Sequence, residues 1–173
     1  VDFIKDKIRR EFAAMVVSLD DGVGKVTQAL DDLGLAENSL LIFLTDHGGD
    51  PVYGGSNKPL RGDKATLFEG GLKVPCVIRF PGRIKTGVTS SAVTSSLDLF
   101  PTFASLGGAD VHKQQLDGQD LTSHLLRNKP VPSRELFWQT GQHAELNRGT
   151  WTALRHDNHK YLRLPDGNEY LFD

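Results

Sequence analysis

Cysteine is almost missing from this chain: Cys76 is the only one in 173 residues. A single thiol closes no internal disulfide, so packing and hydrogen bonds must carry the fold, and the redox compartment is left open. Methionine is equally scarce, with one residue, and aromatic residues make up 8%. No apolar run approaches the roughly 20 residues needed to cross a bilayer. Neither sign of charge is in excess: 20 Lys and Arg stand against 22 Asp and Glu, for a formal net charge of −2. That balance argues against a nucleic-acid or anionic-membrane partner. The chain contains no Asn-x-Ser/Thr acceptor, no internal repeat and no low-complexity tract. It opens on Val1-Asp2-Phe3 with no secretory leader pattern, and both ends read as cut from a longer polypeptide.

What is present is globular. Hydrophobic residues make up 38%, enough for one domain or one and a half, and the 18 glycines point to many tight turns. Residues 4–33 read as one amphipathic helix, with Ile4, Ile8, Phe12, Met15, Leu19, Val23, Val26 and Leu30 recurring at spacings of three and four. Gly22 and Gly24 inside it predict a close approach by another element, and Gly34 is a good stop. Residues 40–45 read as a strand buried on both faces. Residues 75–80 read as a second strand that holds Cys76 in the interior, and 93–95 as a third, in a mainly parallel sheet. Residues 98–106 form a helix, and a shorter one ends at Leu126. Composition shifts at Asn128-Lys129-Pro130-Val131-Pro132, a linker signature. Beyond it, 135–139, 150–155, 160–164 and 169–172 alternate as strands separated by turn residues, which predicts a small antiparallel sheet.

Chemistry concentrates after the first strand. The run Leu40-Leu-Ile-Phe-Leu-Thr-Asp46-His47-Gly48-Gly49 delivers an acid and an imidazole to a strand's C-terminal end, where open α/β sheets place their ligands. A carboxylate there suits a hard divalent cation, whereas imidazole suits transition metals. Residues 46–74 are glycine-rich and lack periodicity; a loop this long inside a compact domain is functional or disordered. Lys64 lies within it, a compact positive charge suited to a tetrahedral anion.

Four segments in this order, Thr45-Asp46-His47-Gly48, Leu60-Arg61-Gly62-Asp63-Lys64, Glu69-Gly70-Gly71 and Leu97-Asp98-Leu99-Phe100-Pro101-Thr102, resemble the sulfatase family of the alkaline-phosphatase-like superfamily. The resemblance implies an α/β fold. Residues 1–129 would be the C-terminal part of an alkaline-phosphatase-like α/β/α sandwich, and residues 130–173 a small antiparallel β subdomain. It implies that Asp46 and His47 bind a divalent metal, usually calcium, and that Lys64 grips a sulfate oxygen and stabilises charge in the transition state. The family's nucleophile is a formylglycine made from cysteine or serine in a Cys-x-Pro/Ala-x-Arg motif. Cys76-Val77-Ile78-Arg79 does not match it, and Pro130-Val131-Pro132-Ser133-Arg134 has proline at the nucleophile position. The formylglycine is therefore expected upstream of Val1, and the chain alone is expected to be inactive. The family often has arginine two residues after Glu-Gly-Gly, where this chain has Lys73, which lacks the bidentate fork.

Other polar residues carry less. His143, beside Glu145, Asn147 and Arg148, is a candidate for a substrate pocket completed from a C-terminal loop, although an exposed polar loop is the stronger reading. His112 and His124 read as surface residues, and His156 and His159 flank a turn without making a zinc site. Trp138 and Trp151 read as core anchors of the terminal sheet. Asp98 reads as a helix cap or a backbone brace. Three readings stand: a sulfuric ester hydrolase fragment acting on carbohydrate or aryl sulfate esters; a phosphoryl or phosphonate monoester hydrolase of the same superfamily; and a non-catalytic degenerate paralogue. Self-association through apolar surface left bare by truncation is expected. The resemblance alone suggests a periplasmic, secreted or lysosomal-type compartment.

Overall fold

The computed structural model describes residues 1–111, 114–141 and 149–173. The chain opens with helix α1, Lys7–Asp32, followed by strand β1, Leu41–Leu44; a one-turn helix α2, Glu69–Leu72; and strand β2, Cys76–Arg79. Helices α3, Leu99–Leu106, and α4, Thr122–Arg127, come next. Strands β3, Glu135–Gln139; β4, Thr152–His156; β5, His159–Arg163; and β6, Glu169–Phe172, complete it.

Helix α1 begins later than the periodicity predicts because Asp6 caps it, its carboxylate accepting from Arg9 N at 2.7 Å. Gly34, in the left-handed region at φ +67°, ends it, and Leu35 N returns to Leu30 O at 2.9 Å. No residue of α1 is buried. A side chain added at Gly22 or Gly24 would meet nothing within 4 Å, so the expected close neighbour is not supplied by the described residues. Helix α1 is tied to the rest by Arg79 on β2, which donates to Asp31 at 2.7 Å, and by Arg9, which donates to Gly54 O. An apolar cleft lined by Leu19, Val23, Val26 and Leu41–Phe43 lies between α1 and β1.

Strands β1 and β2 pair antiparallel, with Leu41 opposite Arg79 and Leu44 opposite Cys76. The expected mainly parallel sheet is therefore not what the described residues form. A parallel pair needs a crossover that returns the chain to the starting end. Here residues 45–75 fold at the C-terminal end of β1 and lead directly back. β1 is half-buried along its length, not buried on both faces, because it has one strand neighbour among the described residues. Cys76 is exposed rather than interior, since the first half of β2 faces solvent. Residues 93–95 form no strand; Ser95 instead caps the turn that leads into α3.

The four terminal strands make an antiparallel meander in the order β3-β4-β5-β6. Its alternation is clean: on β5, Lys160 and Leu162 point inward while His159 and Arg163 point out. The core lies between this sheet and the segment preceding α2. Leu67, Phe68, Trp151, Ala153 and Leu162 are buried together, with Leu72, Trp138, Tyr170 and Phe172 packed against them. Phe68 meets Trp151 edge to face with centroids 5.5 Å apart. Both tryptophans thus serve as core anchors.

Candidate active site

Asp46 and His47 follow the end of β1. The Asp46 side chain is 82% exposed and the His47 ring 39%. Asp46 Oδ1 accepts from His47 N at 3.0 Å, and Asp46 Oδ2 lies 3.0 Å from His47 Nε2. The other ring nitrogen, Nδ1, sits 2.9 Å from Gly48 O. The imidazole thus lies between the Asp46 carboxylate on its Nε2 side and the Gly48 carbonyl on its Nδ1 side.

The loop that follows is ordered by its own hydrogen bonds, so the alternative of a disordered stretch does not hold. Asn57 is its brace, a residue that sequence reasoning passed over. Its side chain accepts from Gly49 N at 2.7 Å and donates to Gly49 O at 2.8 Å and Gly62 O at 3.1 Å. Lys64 N donates to Gly49 O at 3.3 Å, so the backbone of Lys64 abuts the turn just beyond His47. The Lys64 side chain is exposed.

Behind this turn the glycines of two motifs interlock. Gly48 N donates to Gly71 O at 3.0 Å, and Gly70 N to Arg61 O at 2.7 Å. A Cβ at Gly48 would collide with the Gly70 carbonyl, and one at Gly70 would reach 2.7 Å from Arg61 O. Only glycine lets these backbones approach so closely. The Glu69-Gly70-Gly71 turn therefore holds both the strand end that carries Asp46 and His47 and the loop that carries Lys64.

Ion pairs fix this scaffold to the terminal sheet. Lys160 Nζ donates to Glu69 Oε1 at 2.7 Å, and Arg155 Nη1 lies 3.7 Å from Glu69 Oε2. Arg61 stacks its guanidinium over Phe68, 4.1 Å from the ring centroid, and over Tyr170 at 5.3 Å. Asp98 is fully buried and accepts from Ser95 N and Gln119 N, each at 2.8 Å, as well as from Arg134. Asp98 thus acts as both cap and brace, and the arginine of the mismatched Pro-Val-Pro-Ser-Arg stretch is its partner. His124 is half-buried and more than a surface residue: its Nε2 lies 2.8 Å from Ser90 Oγ and its Nδ1 2.7 Å from Lys129 O. His156 and His159 are exposed cross-strand partners. His112 and the pocket candidate His143 lie outside the described residues.

Among the described residues no group of three His, Cys, Asp or Glu side chains is close enough to hold a metal ion. Calcium takes about six to eight oxygen ligands. Asp46 and His47 present two side chains, one of them nitrogen, so the described residues by themselves do not make a calcium site. The pair can serve as part of a larger donor set.

The family model described as Sulfatase matches residues 2–109. The chain is 39% identical over 165 residues to arylsulfatase A of Homo sapiens, an alignment covering 94% of this chain and 32% of that protein. It is 42% identical over 131 residues to steryl-sulfatase of Mus musculus, covering 70% and 21% respectively. Among solved structures, that of Ps i-CgsB superposes with a TM-score of 0.89 at 33% identity, over 98% of this chain and 37% of that one. The phosphonate monoester hydrolase of Agrobacterium radiobacter superposes with a TM-score of 0.67 at 27% identity, over 92% and 33%. This chain belongs to the sulfatase family. It spans between about a fifth and a third of the length of the curated relatives it matches.

Proposed function

We propose that this chain is the C-terminal portion of a sulfuric ester hydrolase and supplies part of that enzyme's metal and sulfate site. The observation that carries the proposal is the anchoring of the Asp46-His47 end of β1 and the Lys64 loop on one glycine turn, through Gly48 N to Gly71 O at 3.0 Å and Gly70 N to Arg61 O at 2.7 Å. That turn lies within residues 2–109, the stretch that the Sulfatase family model matches.

In this reading Asp46 and His47 contribute two ligands to a divalent cation, calcium in most of the family, and segments outside this chain complete the set. A bound cation would polarise the sulfate oxygens. Lys64 would place its ammonium on a sulfate oxygen and stabilise the charge that builds there as the ester bond breaks. The nucleophile, a formylglycine in this family, comes from another part of the polypeptide, because Cys76 sits on an exposed strand without the activation motif. His143 is proposed for the substrate pocket on its place in the sequence between β3 and β4. Aryl and saccharide sulfates are the proposed substrates, supported by the similarity to arylsulfatase A and to Ps i-CgsB, which was solved with k-i-k-neocarrahexaose. A periplasmic, secreted or lysosomal-type compartment is proposed on family grounds; no helix among the described residues is long and apolar enough to cross a membrane.

A second reading, a phosphonate monoester hydrolase, is favoured by one observation: the structural match to the enzyme of that name. The two separate on the complete polypeptide, assayed with an aryl sulfate and with an aryl phosphonate monoester. The sulfatase reading expects preference for the sulfate and a loss in kcat/KM of about 100-fold or more in Lys64→Ala. Preference for the phosphonate, or an unchanged kcat/KM in Lys64→Ala, would overturn it.

A further inference from the structure

We infer that Lys160, on the terminal sheet, is a positioning residue for the oxyanion site at the far end of the chain. The inference rests on the reading of Asp46, His47 and Lys64 as that site and adds the element that holds it in shape.

Lys160 is 4% exposed, an unusual place for an ammonium group. It points inward from β5 beside Leu162, which is fully buried, so its four-carbon stem belongs to the core. Its Nζ reaches Glu69 Oε1 at 2.7 Å, ninety-one residues back along the chain. Arg155, on the neighbouring strand β4, lies 3.7 Å from the other carboxylate oxygen. Glu69 is the first residue of α2, and its backbone continues into Gly70 and Gly71. Gly71 O accepts from Gly48 N, next to His47, and Gly70 N donates to Arg61 O, three residues before Lys64.

The route is short, and every step is a contact: ammonium to carboxylate, carboxylate to the one-turn helix, helix backbone to the two loops. A one-turn helix has no cooperative stability of its own. Interlocked glycine backbones also hold no side chain that could pin them. The turn must be fixed from outside, and a charge pair between buried Lys160 on the four-stranded sheet and the partly exposed Glu69 carboxylate does so with direction as well as energy. The terminal sheet thus sets the relative placement of the Asp46-His47 end and the Lys64 loop.

The test compares three variants made in the complete polypeptide, which carries the segments that finish the site. Lys160→Met removes the ammonium and keeps the stem. Glu69→Gln keeps size and an acceptor but removes the charge, and it reads the same link if Lys160→Met does not fold. Leu121→Ala removes a buried side chain outside the core group that contains Phe68 and Leu162. Two quantities are read: amide chemical shifts of Gly48, Gly49, Gly70 and Gly71, and affinity for inorganic sulfate followed at the Lys64 amide. Lys160→Met or Glu69→Gln should move the four glycine amides and weaken sulfate by about tenfold. Leu121→Ala should lower thermal stability and leave those amides in place. Unmoved glycine amides in both charge variants, or equal movement in Leu121→Ala, would overturn the inference. If sulfate leaves the Lys64 amide of the unsubstituted polypeptide unshifted, the oxyanion reading fails, while the glycine amides still decide whether Lys160 positions the turn.

Discussion

Arg134 and Asp98, thirty-six residues apart, meet as a bidentate pair, with Nη1 to Oδ1 and Nη2 to Oδ2 both at 2.5 Å. Asp98 has no exposed surface, and the Arg134 side chain has 11%. The pair joins the start of α3 to the segment entering β3, so it closes the linker region onto the helical part. Removing the arginine would leave a buried carboxylate without its countercharge. Arg134→Ala is expected to destabilise the chain by about 3–5 kcal/mol, the usual cost of orphaning one member of a buried pair. Urea denaturation measures it. A loss under about 1 kcal/mol would mean that the pair behaves like a solvated surface bridge.

The same carboxylate predicts an acid response. Burial pushes the Asp98 carboxyl up, but the hydrogen bonds from Arg134, Gln119 N and Ser95 N, with the Arg134 charge, outweigh it and hold it below the ordinary range. A folded value below the unfolded one, about 3.9, gives stability that is fully present above the unfolded value. That stability is lost as pH falls through the folded value. Asp98→Asn cannot titrate, so its melting temperature should fall less steeply than the parent's as pH is lowered from about 4. Parallel melting curves in acid would assign the acid sensitivity to other carboxylates.

Helix α1 carries a simpler expectation. Gly22 and Gly24 lie in its interior with nothing within 4 Å of an added Cβ. Alanine at either position costs no steric clash in this chain and reduces the freedom of the unfolded state. Each single substitution should stabilise the chain by about 0.5–1 kcal/mol. Destabilisation by either would reveal a neighbour packed on α1 in solution, the signature of self-association through the apolar stripe that includes Leu19 and Val26, both half exposed.

The parts of this fold legible in the sequence are the parts set by local periodicity. The α1 stripe, the apolar run into Asp46, and the alternation in β3 to β6 all depend on neighbours a few residues apart. Trp151 and Glu69-Gly70-Gly71 were readable too, because a large ring and paired glycines have few uses. What was not legible depends on distant partners. Nothing near Leu41 says that β2 runs antiparallel to it, since direction is fixed by how residues 45–75 double back. Asn57 resembles any polar loop residue until its amide is seen bridging Gly49 and Gly62. Lys160 looks like a surface lysine in an alternating strand; only the inward phase it shares with Leu162 could have flagged it. Asp46 and His47 were readable as neighbours, but not the approach of the imidazole Nε2 to 3.0 Å from the carboxylate.

The remaining prediction concerns activity: the 173-residue chain alone should not hydrolyse sulfate esters. Attack on sulfur needs an activated nucleophile. Cys76, the single cysteine, sits exposed at the start of β2, opposite Leu44, with Val77-Ile78-Arg79 in place of the activation motif. Partial desolvation of its sulfur by neighbouring atoms pushes the thiol up, away from the reactive thiolate, although the residue as a whole is exposed. The metal side is equally incomplete, since Asp46 and His47 form a pair and not a cage. Electrostatic help from Lys64 would lower a barrier only where an attacking group is already placed. An activated aryl sulfate, incubated with the purified chain with and without calcium, should hydrolyse at the buffer rate. Turnover that appears with the chain and vanishes in Asp46→Ala would falsify the proposal and require a nucleophile within these residues.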